Sequence, residues 1–193
     1  MKIAVLALQG AYAEHELILR QLGIEYFEIR KRDDLKQSFD GLILPGGEST
    51  VMGKLLRELD LMEPLKSKIE QDMPVLATCA GLILLADKIE NDSSVHFQTL
   101  PVTVKRNAYG RQLGSFKTQE NMLEIGKIPM TFIRAPYIIE AAPEVKILAE
   151  VDKKIVAVRY KNQLAMSFHP ELTEDSSVHK YFLEIVQNSI ELC

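Results

Sequence analysis

Pro74-Val-Leu-Ala-Thr-Cys-Ala-Gly-Leu-Ile-Leu-Leu-Ala86 carries the chain out of one apolar run, through Cys79-Ala80-Gly81, and into another. Pro74 to Thr78 reads as a buried strand and Ala80 to Ala86 as a helix. A cysteine at that junction is held on a sharp turn with its side chain exposed above the sheet. Backbone N–H groups at a helix start stabilise negative charge and so favour the reactive thiolate. Small neighbours let the backbone turn and let a substrate approach. Most buried cysteines are only small hydrophobes, so the weight lies in the location rather than the residue type. Open α/β sheets place ligands at the carboxyl ends of their strands, which is where Cys79 falls. Cys193, the last residue, has no such setting and is given no role.

Upstream, the same alternation of short apolar runs and amphipathic stretches repeats. Ile3 to Leu8 is a strand buried on both faces, turning at Gln9-Gly10. Tyr12 to Leu22 is a helix with Leu17, Ile18 and Leu22 near one face, closed by Gly23. Glu25 to Ile29 and Gly41 to Leu44 are further strands, and Thr50 to Leu59 resumes a helical period. Strand, helix, strand, helix at this spacing argues for an open, largely parallel sheet wrapped by helices. Downstream, Val102 to Val104, Met130 to Ile133, Val145 to Leu148, Ile155 to Arg159 and Leu164 to Phe168 are strand candidates. The last three are spaced for an antiparallel meander, with turns at Asp152-Lys153-Lys154 and Lys161-Asn162-Gln163. Asp175 to Ile190 is a closing helix with Val178, Phe182, Ile185, Val186 and Ser189 along one side. No repeat or linker interrupts the chain, and one domain over residues 1–193 is the simplest account.

Composition excludes several classes. A formal charge of -4 over 193 residues gives no electrostatic case for nucleic acid or an anionic membrane. The apolar run at the N-terminus is too short for a signal peptide, and no stretch reaches the length of a membrane helix. Two cysteines make no disulfide framework, so a reducing cytoplasm is expected. The four histidines and two cysteines show no zinc-like spacing, and neither metal nor cofactor is expected.

A thiolate needs a proton shuttle. His15 and His179 fall among charged residues in predicted helices and read as surface positions. His96 follows Asn91-Asp92-Ser93-Ser94 in a loop and has no evident orienting partner. His169 ends an apolar strand, is followed by Pro170, and has Glu171 two residues on. Residues i and i+2 of an extended segment point the same way. Glu171 can then bond one imidazole nitrogen, fix the tautomer, and leave the other for the thiol. Acyl transfer also needs donors for an oxyanion. The turn Pro45-Gly46-Gly47-Glu48-Ser49-Thr50 closes the third strand on the same sheet edge, and the N–H groups of Gly47 and Ala80 are the proposed donors. A plain strand-to-helix turn capped by Ser49 or Thr50 is the alternative. The missing Gly-Lys-Ser/Thr ending argues against a phosphate loop.

Three segments together resemble the signature of class I, triad-type glutamine amidotransferases: Leu42-Ile-Leu-Pro-Gly-Gly-Glu-Ser-Thr50, Thr78-Cys-Ala-Gly-Leu82 and Ser167-Phe-His-Pro-Glu-Leu-Thr173. Leu8-Gln-Gly-Ala11, Arg106-Asn-Ala-Tyr-Gly-Arg-Gln112 and Phe132-Ile-Arg-Ala-Pro136 narrow the resemblance to the glutaminase subunits of pyridoxal 5′-phosphate synthase. The resemblance implies a flavodoxin-like three-layer α/β/α fold, its mostly parallel open sheet extended by antiparallel strands. It implies hydrolysis of L-glutamine to glutamate and ammonia through a thioester on Cys79. His169 would be general base then acid, and Glu171 its orienter. Glutamine contacts would fall on Gly47, Glu48, Ser49, Arg106, Ile133 and Arg134, with the Arg106 guanidinium suited to an α-carboxylate. The implied partner is a separate (β/α)₈-barrel synthase subunit on which glutaminase activity depends, with Gln9 a candidate for sensing it. Pyridoxal phosphate would be the partner's product rather than a ligand of this chain. Two positions depart from the family pattern: Ala77 where glycine is usual, and Tyr137 where histidine is common.

Three other readings are weighed beside this one. The same chemistry can serve another acceptor, as in an imidazole glycerol phosphate synthase glutaminase. The fold also suits cysteine hydrolases of peptides or small aldehydes, which have no use for the complete Ser-Phe-His-Pro-Glu segment. A binding module that has lost activity would not need Cys79, His169 and Glu171 intact.

Overall fold

The computed structural model describes residues 1–106 and 115–191, so Asn107 to Gln112 of the Arg106 segment, and Cys193, lie outside the described residues. The first half alternates as its pattern predicts: Lys2–Leu6 (β1), Tyr12–Gln21 (α1), Glu25–Ile29 (β2), Gly41–Leu44 (β3) and Ser49–Glu58 (α2). Met62–Glu70 (α3) follows, then Val75–Thr78 (β4), Ala80–Leu85 (α4) and Ala86–Ile89 (β5). The second half is strand-rich: Leu100–Lys105 (β6), Ser115–Met122 (β7), Gly126–Ile133 (β8), Tyr137–Ala141 (β9), Lys146–Val151 (β10), Lys154–Tyr160 (β11) and Gln163–Met166 (β12). Ser177–Glu191 (α5) closes the described chain.

The main sheet runs β2-β1-β3-β4-β12-β11-β9-β6-β5, with β10 on β11. From β2 to β12 all neighbours are parallel. The expected meander is present as β10, β11 and β12, antiparallel in succession. Its first turn places Asp152 and Lys153 at φ 49° and 62°, the left-handed pair of a tight hairpin that matches strand twist. The antiparallel β7–β8 hairpin stands outside this sheet.

Strand alternation sorts the core into two layers. Ile3, Val5, Ile43 and Leu76 pack with Leu19 of α1 and Phe182 and Val186 of α5. Ala4, Leu6, Leu42 and Leu44 point the other way, against Met52 and Leu56 of α2 and Leu65 and Ile69 of α3. Each large aliphatic side chain so buried stabilises the fold by about 1.5–3 kcal/mol, so both faces of the sheet require cover. The result is three layers: helices, sheet, helices. The β7–β8 hairpin joins the α1/α5 side through Met130 and Phe132, the latter ring 4.5 Å from Phe116 and 5.7 Å from Phe168.

The polar residues of this core require a correction. His15 and His179, expected at the surface, are both fully buried. On α1 the inward face carries His15, Ile18 and Leu19, whereas Leu17 is 51% exposed. On α5 His179 is buried with Val178, Phe182, Ile185 and Val186. Charged neighbours in sequence concealed positions that helical periodicity turns inward.

Candidate functional site

The end of β4 builds the first part of the site. Cys79 leaves the strand at φ 48°, ψ -99°, a conformation disfavoured for an L-residue, and α4 begins at the next residue. The strain is held by the sheet: the Cys79 N–H donates to the Met166 carbonyl of β12 at 2.8 Å. The Ala80 N–H, first in its helix, has no intrahelical acceptor available.

Residues just past β12 supply the second part. The His169 N–H donates to the Thr131 carbonyl of β8 at 2.8 Å, and His169 Nδ1 lies 2.7 Å from Glu171 Oε1. That fixes one ring nitrogen on the carboxylate and leaves Nε2 to serve the Cys79 thiol, which lines the same cleft. Burial pulls the His169 pKa down, but the hydrogen bonds to Cys79 and Glu171 and their charges prevail, raising it to about 10. Burial pushes the Glu171 carboxyl up, yet the His15 and His169 rings bring it below its ordinary value.

The third part is the β3–α2 turn. Gly46 passes so close to His169 that a Cβ there would stand 2.2 Å from the ring Cε1. Its carbonyl accepts the Ala11 N–H at 2.9 Å, and the Glu48 N–H donates to Gln9 Oε1 at 2.7 Å. Gln9 is therefore joined directly to the turn expected to supply an oxyanion donor.

These parts meet in a cleft of about 640 Å³ whose lining includes Cys79, His169, Gly47, Glu48, Ser49, Arg106, Ile133 and Arg134. Every expected glutamine contact thus faces one space, while Ala80 and Glu171 are buried behind its wall. Arg106 Nη1 is held by Asp92 at 3.0 Å, and among the described residues its buried Nε and Nη2 have no partner. Two orphaned donors on one planar group suit a carboxylate. A second hollow of about 780 Å³, lined partly by Lys117, Lys127 and Glu174, contains neither a cysteine nor a histidine. Tyr137 is absent from this cleft's lining; the Lys154 ammonium lies 5.0 Å from its ring centre. Ala77 is fully buried in β4, paired with Leu44 and Ala165. Among the described residues, no group of three or more His, Cys, Asp or Glu is arranged to hold a metal.

Sequence reasoning missed the layer behind Glu171. His15 Nε2 is 3.3 Å from Thr78 Oγ1 and 3.5 Å from Glu171 Oε2, and His15 Nδ1 is 2.9 Å from His179 Nε2. Burial lowers the pKa of His15 and of His179, and burial lowers that of His96 to about 4. A group whose folded pKa is depressed gives stability that is present above its unfolded value, about 6.5 for histidine, and lost as pH falls. His169, raised, has the opposite sign: its contribution is already nearly complete at pH 7 and is lost only as pH climbs toward 10. The urea midpoint is therefore expected to drop between pH 7 and pH 5, and equal midpoints at the two values would contradict these assignments.

A strained strand-end cysteine facing a carboxylate-braced histidine, on a parallel α/β sheet, defines the class of triad-type amidotransferases. Residues 5–188 match the SNO glutamine amidotransferase family, and the chain belongs to that family. It is 61% identical over 186 residues to the pyridoxal 5′-phosphate synthase subunit PdxT of Desulfitobacterium hafniense (strain DSM 10664 / DCB-2), covering 96% of this chain and 94% of that one. It is 56% identical to the subunit of the same name from Haemophilus influenzae (strain PittEE), covering 96% and 98%. A crystal structure of a glutamine amidotransferase superposes with a TM-score of 0.91 at 41% identity, over 96% of this chain and 98% of that one.

Proposed function

We propose that residues 1–193 form a single glutaminase domain that hydrolyses L-glutamine to glutamate and ammonia for pyridoxal 5′-phosphate synthesis. The observation that carries the chemistry is the Cys79–His169–Glu171 line, opening on a cleft where two Arg106 donors, Nε and Nη2, have no partner among the described residues. Arg106 holds the glutamine α-carboxylate, and Gly47, Glu48, Ser49, Ile133 and Arg134 position the remainder. The thiol proton already resides on the His169 ring, and the Cys79 thiolate attacks the side-chain amide carbon. The N–H groups of Gly47 and Ala80 receive the oxyanion. His169 then gives its proton to the departing nitrogen, ammonia leaves, and a thioester remains. Water activated by the same imidazole attacks the thioester, releasing glutamate and restoring the thiolate. Each turnover returns every proton it borrows.

The ammonia goes to a separate (β/α)₈-barrel synthase subunit, and the relatives' printed role as synthase subunits supports that assignment. Gln9, bonded to the Glu48 N–H, is the element through which docking reaches the oxyanion turn. The proposed location is the cytoplasm; no helix among the described residues is long and apolar enough to cross a membrane. Glutamine hydrolysis measured with and without the barrel subunit tests the reading. Ammonia release should rise on adding the pyridoxal phosphate synthase barrel and not on adding a histidine-pathway barrel. The reverse pattern would assign the chain to another acceptor.

A further inference from the structure

Glu171 is braced on one side only by the chemistry described so far. Its Oε1 meets His169, whereas Oε2 is buried and has no hydrogen bond among the described residues. An unpaired carboxylate oxygen in a dry interior is costly, so what stands beside it matters. His15 Nε2 stands beside it at 3.5 Å and also lies 3.3 Å from Thr78 Oγ1; that hydroxyl in turn donates to Glu171 Oε1 at 3.4 Å. Behind His15 stands His179, 2.9 Å away and equally buried.

Counting donors fixes the direction of the chain. If His15 carried its proton on Nδ1, its Nε2 lone pair would face the carboxylate, and the buried Nδ1 of His179 would hold an N–H with no acceptor. If His15 carries it on Nε2, that N–H points at Glu171 and Thr78, and the His179 Nε2–H donates to His15 Nδ1. Among the described residues, a lone pair on His179 Nδ1 is then what goes unmatched, the cheaper of the two deficits. We infer that His15, set by His179, is a positioning residue: it aims an N–H at Glu171 from behind and so fixes the carboxylate that orients His169. The chain runs from α5 through α1 to the end of β4, so two helices on one face of the sheet set the geometry of the site at its edge.

The inference rests on the glutaminase reading, and its test separates the two. The variants are made in the full chain with Cys193→Ser, so that Cys79 is the one thiol. Glutamine hydrolysis is measured in complex with the barrel subunit, and Cys79 alkylation by iodoacetamide is followed against pH in the free chain. The groups facing His15 are Glu171, His169, Glu14, His179 and the Thr78 hydroxyl. His15→Leu should lower kcat about 10- to 100-fold with KM nearly unchanged, the scale on which a displaced support acts. It should also move the acid limbs of the kcat and alkylation profiles to higher pH, because a carboxylate that loses a donor holds its proton more tightly. His15→Gln, which can again present an N–H near the Nε2 position, should restore both. If His15→Leu does not fold, His179→Leu carries the test, with the same shift in smaller measure. A purely structural role would lower the melting temperature and leave kcat per folded molecule and both acid limbs in place, which would overturn the inference. A shifted alkylation limb in a chain that hydrolyses no glutamine would uphold the brace and refute the glutaminase reading.

Discussion

Replacing Cys79 with alanine is expected to abolish ammonia release from glutamine, by at least about 10⁴-fold, because no thioester can form. The fold should survive. Cys79 is 7% exposed, and the elbow is held by its N–H bond to Met166 rather than by the sulfur. Alanine also leaves the positive φ of this position no worse than before. The informative measurement pairs ammonia release in the complex with the thermal midpoint of the free chain. Wild-type turnover in a folded Cys79→Ala protein would remove the nucleophile from this residue, and with it the proposed mechanism.

A change that replaces none of the reacting groups should also cost activity heavily. Gly46→Ala puts a methyl 2.2 Å from His169 Cε1 and 2.7 Å from Nδ1. Neither side can retreat cheaply. The Gly46 carbonyl is tied to the Ala11 N–H, and His169 is held by Glu171 and by the Thr131 carbonyl. The ring must turn or the turn must shift, and a displacement near 1 Å at a proton shuttle costs about 100-fold in rate. Overpacking should also destabilise the fold by about 1–3 kcal/mol. Turnover in the complex and a urea titration check the two effects separately. Full activity would mean that His169 can work from another position.

Both expectations concern residues that are legible because their signals are local. Cys79 stands between a strand and a helix, His169 and Glu171 are two apart at a strand end, and Gly46-Gly47 interrupts an apolar run. Each can be read within ten residues. The brace behind Glu171 is not local: His15 and His179 are 164 positions apart, and each looks like a surface residue beside its charged neighbours. A signal was present, since His15 shares a helical face with Ile18 and Leu19, and His179 with Phe182 and Val186. Taking Leu17 as part of the buried face hid it. The helix Met62–Glu70 also escaped notice, although Met62, Leu65 and Ile69 recur at helical spacing. The β7 strand Ser-Phe-Lys-Thr-Gln-Glu-Asn-Met is too polar to declare itself, being paired at the periphery, among the described residues, with β8 alone. Where a strand is half solvated, composition resembles a loop and only its partner reveals it.

The register of β4 against β12, with Thr78 opposite Met166, has a consequence for how such a domain diversifies. Sulfur and imidazole stand one and three residues beyond that last rung, on backbone tied to strands through the Cys79 N–H to Met166 and the His169 N–H to Thr131. Their separation is thus set by the sheet's end rather than by the outer loops. The rim can therefore be rebuilt to greet a different synthase while the reacting pair keeps its spacing, leaving chemistry and client selection as separately adjustable traits.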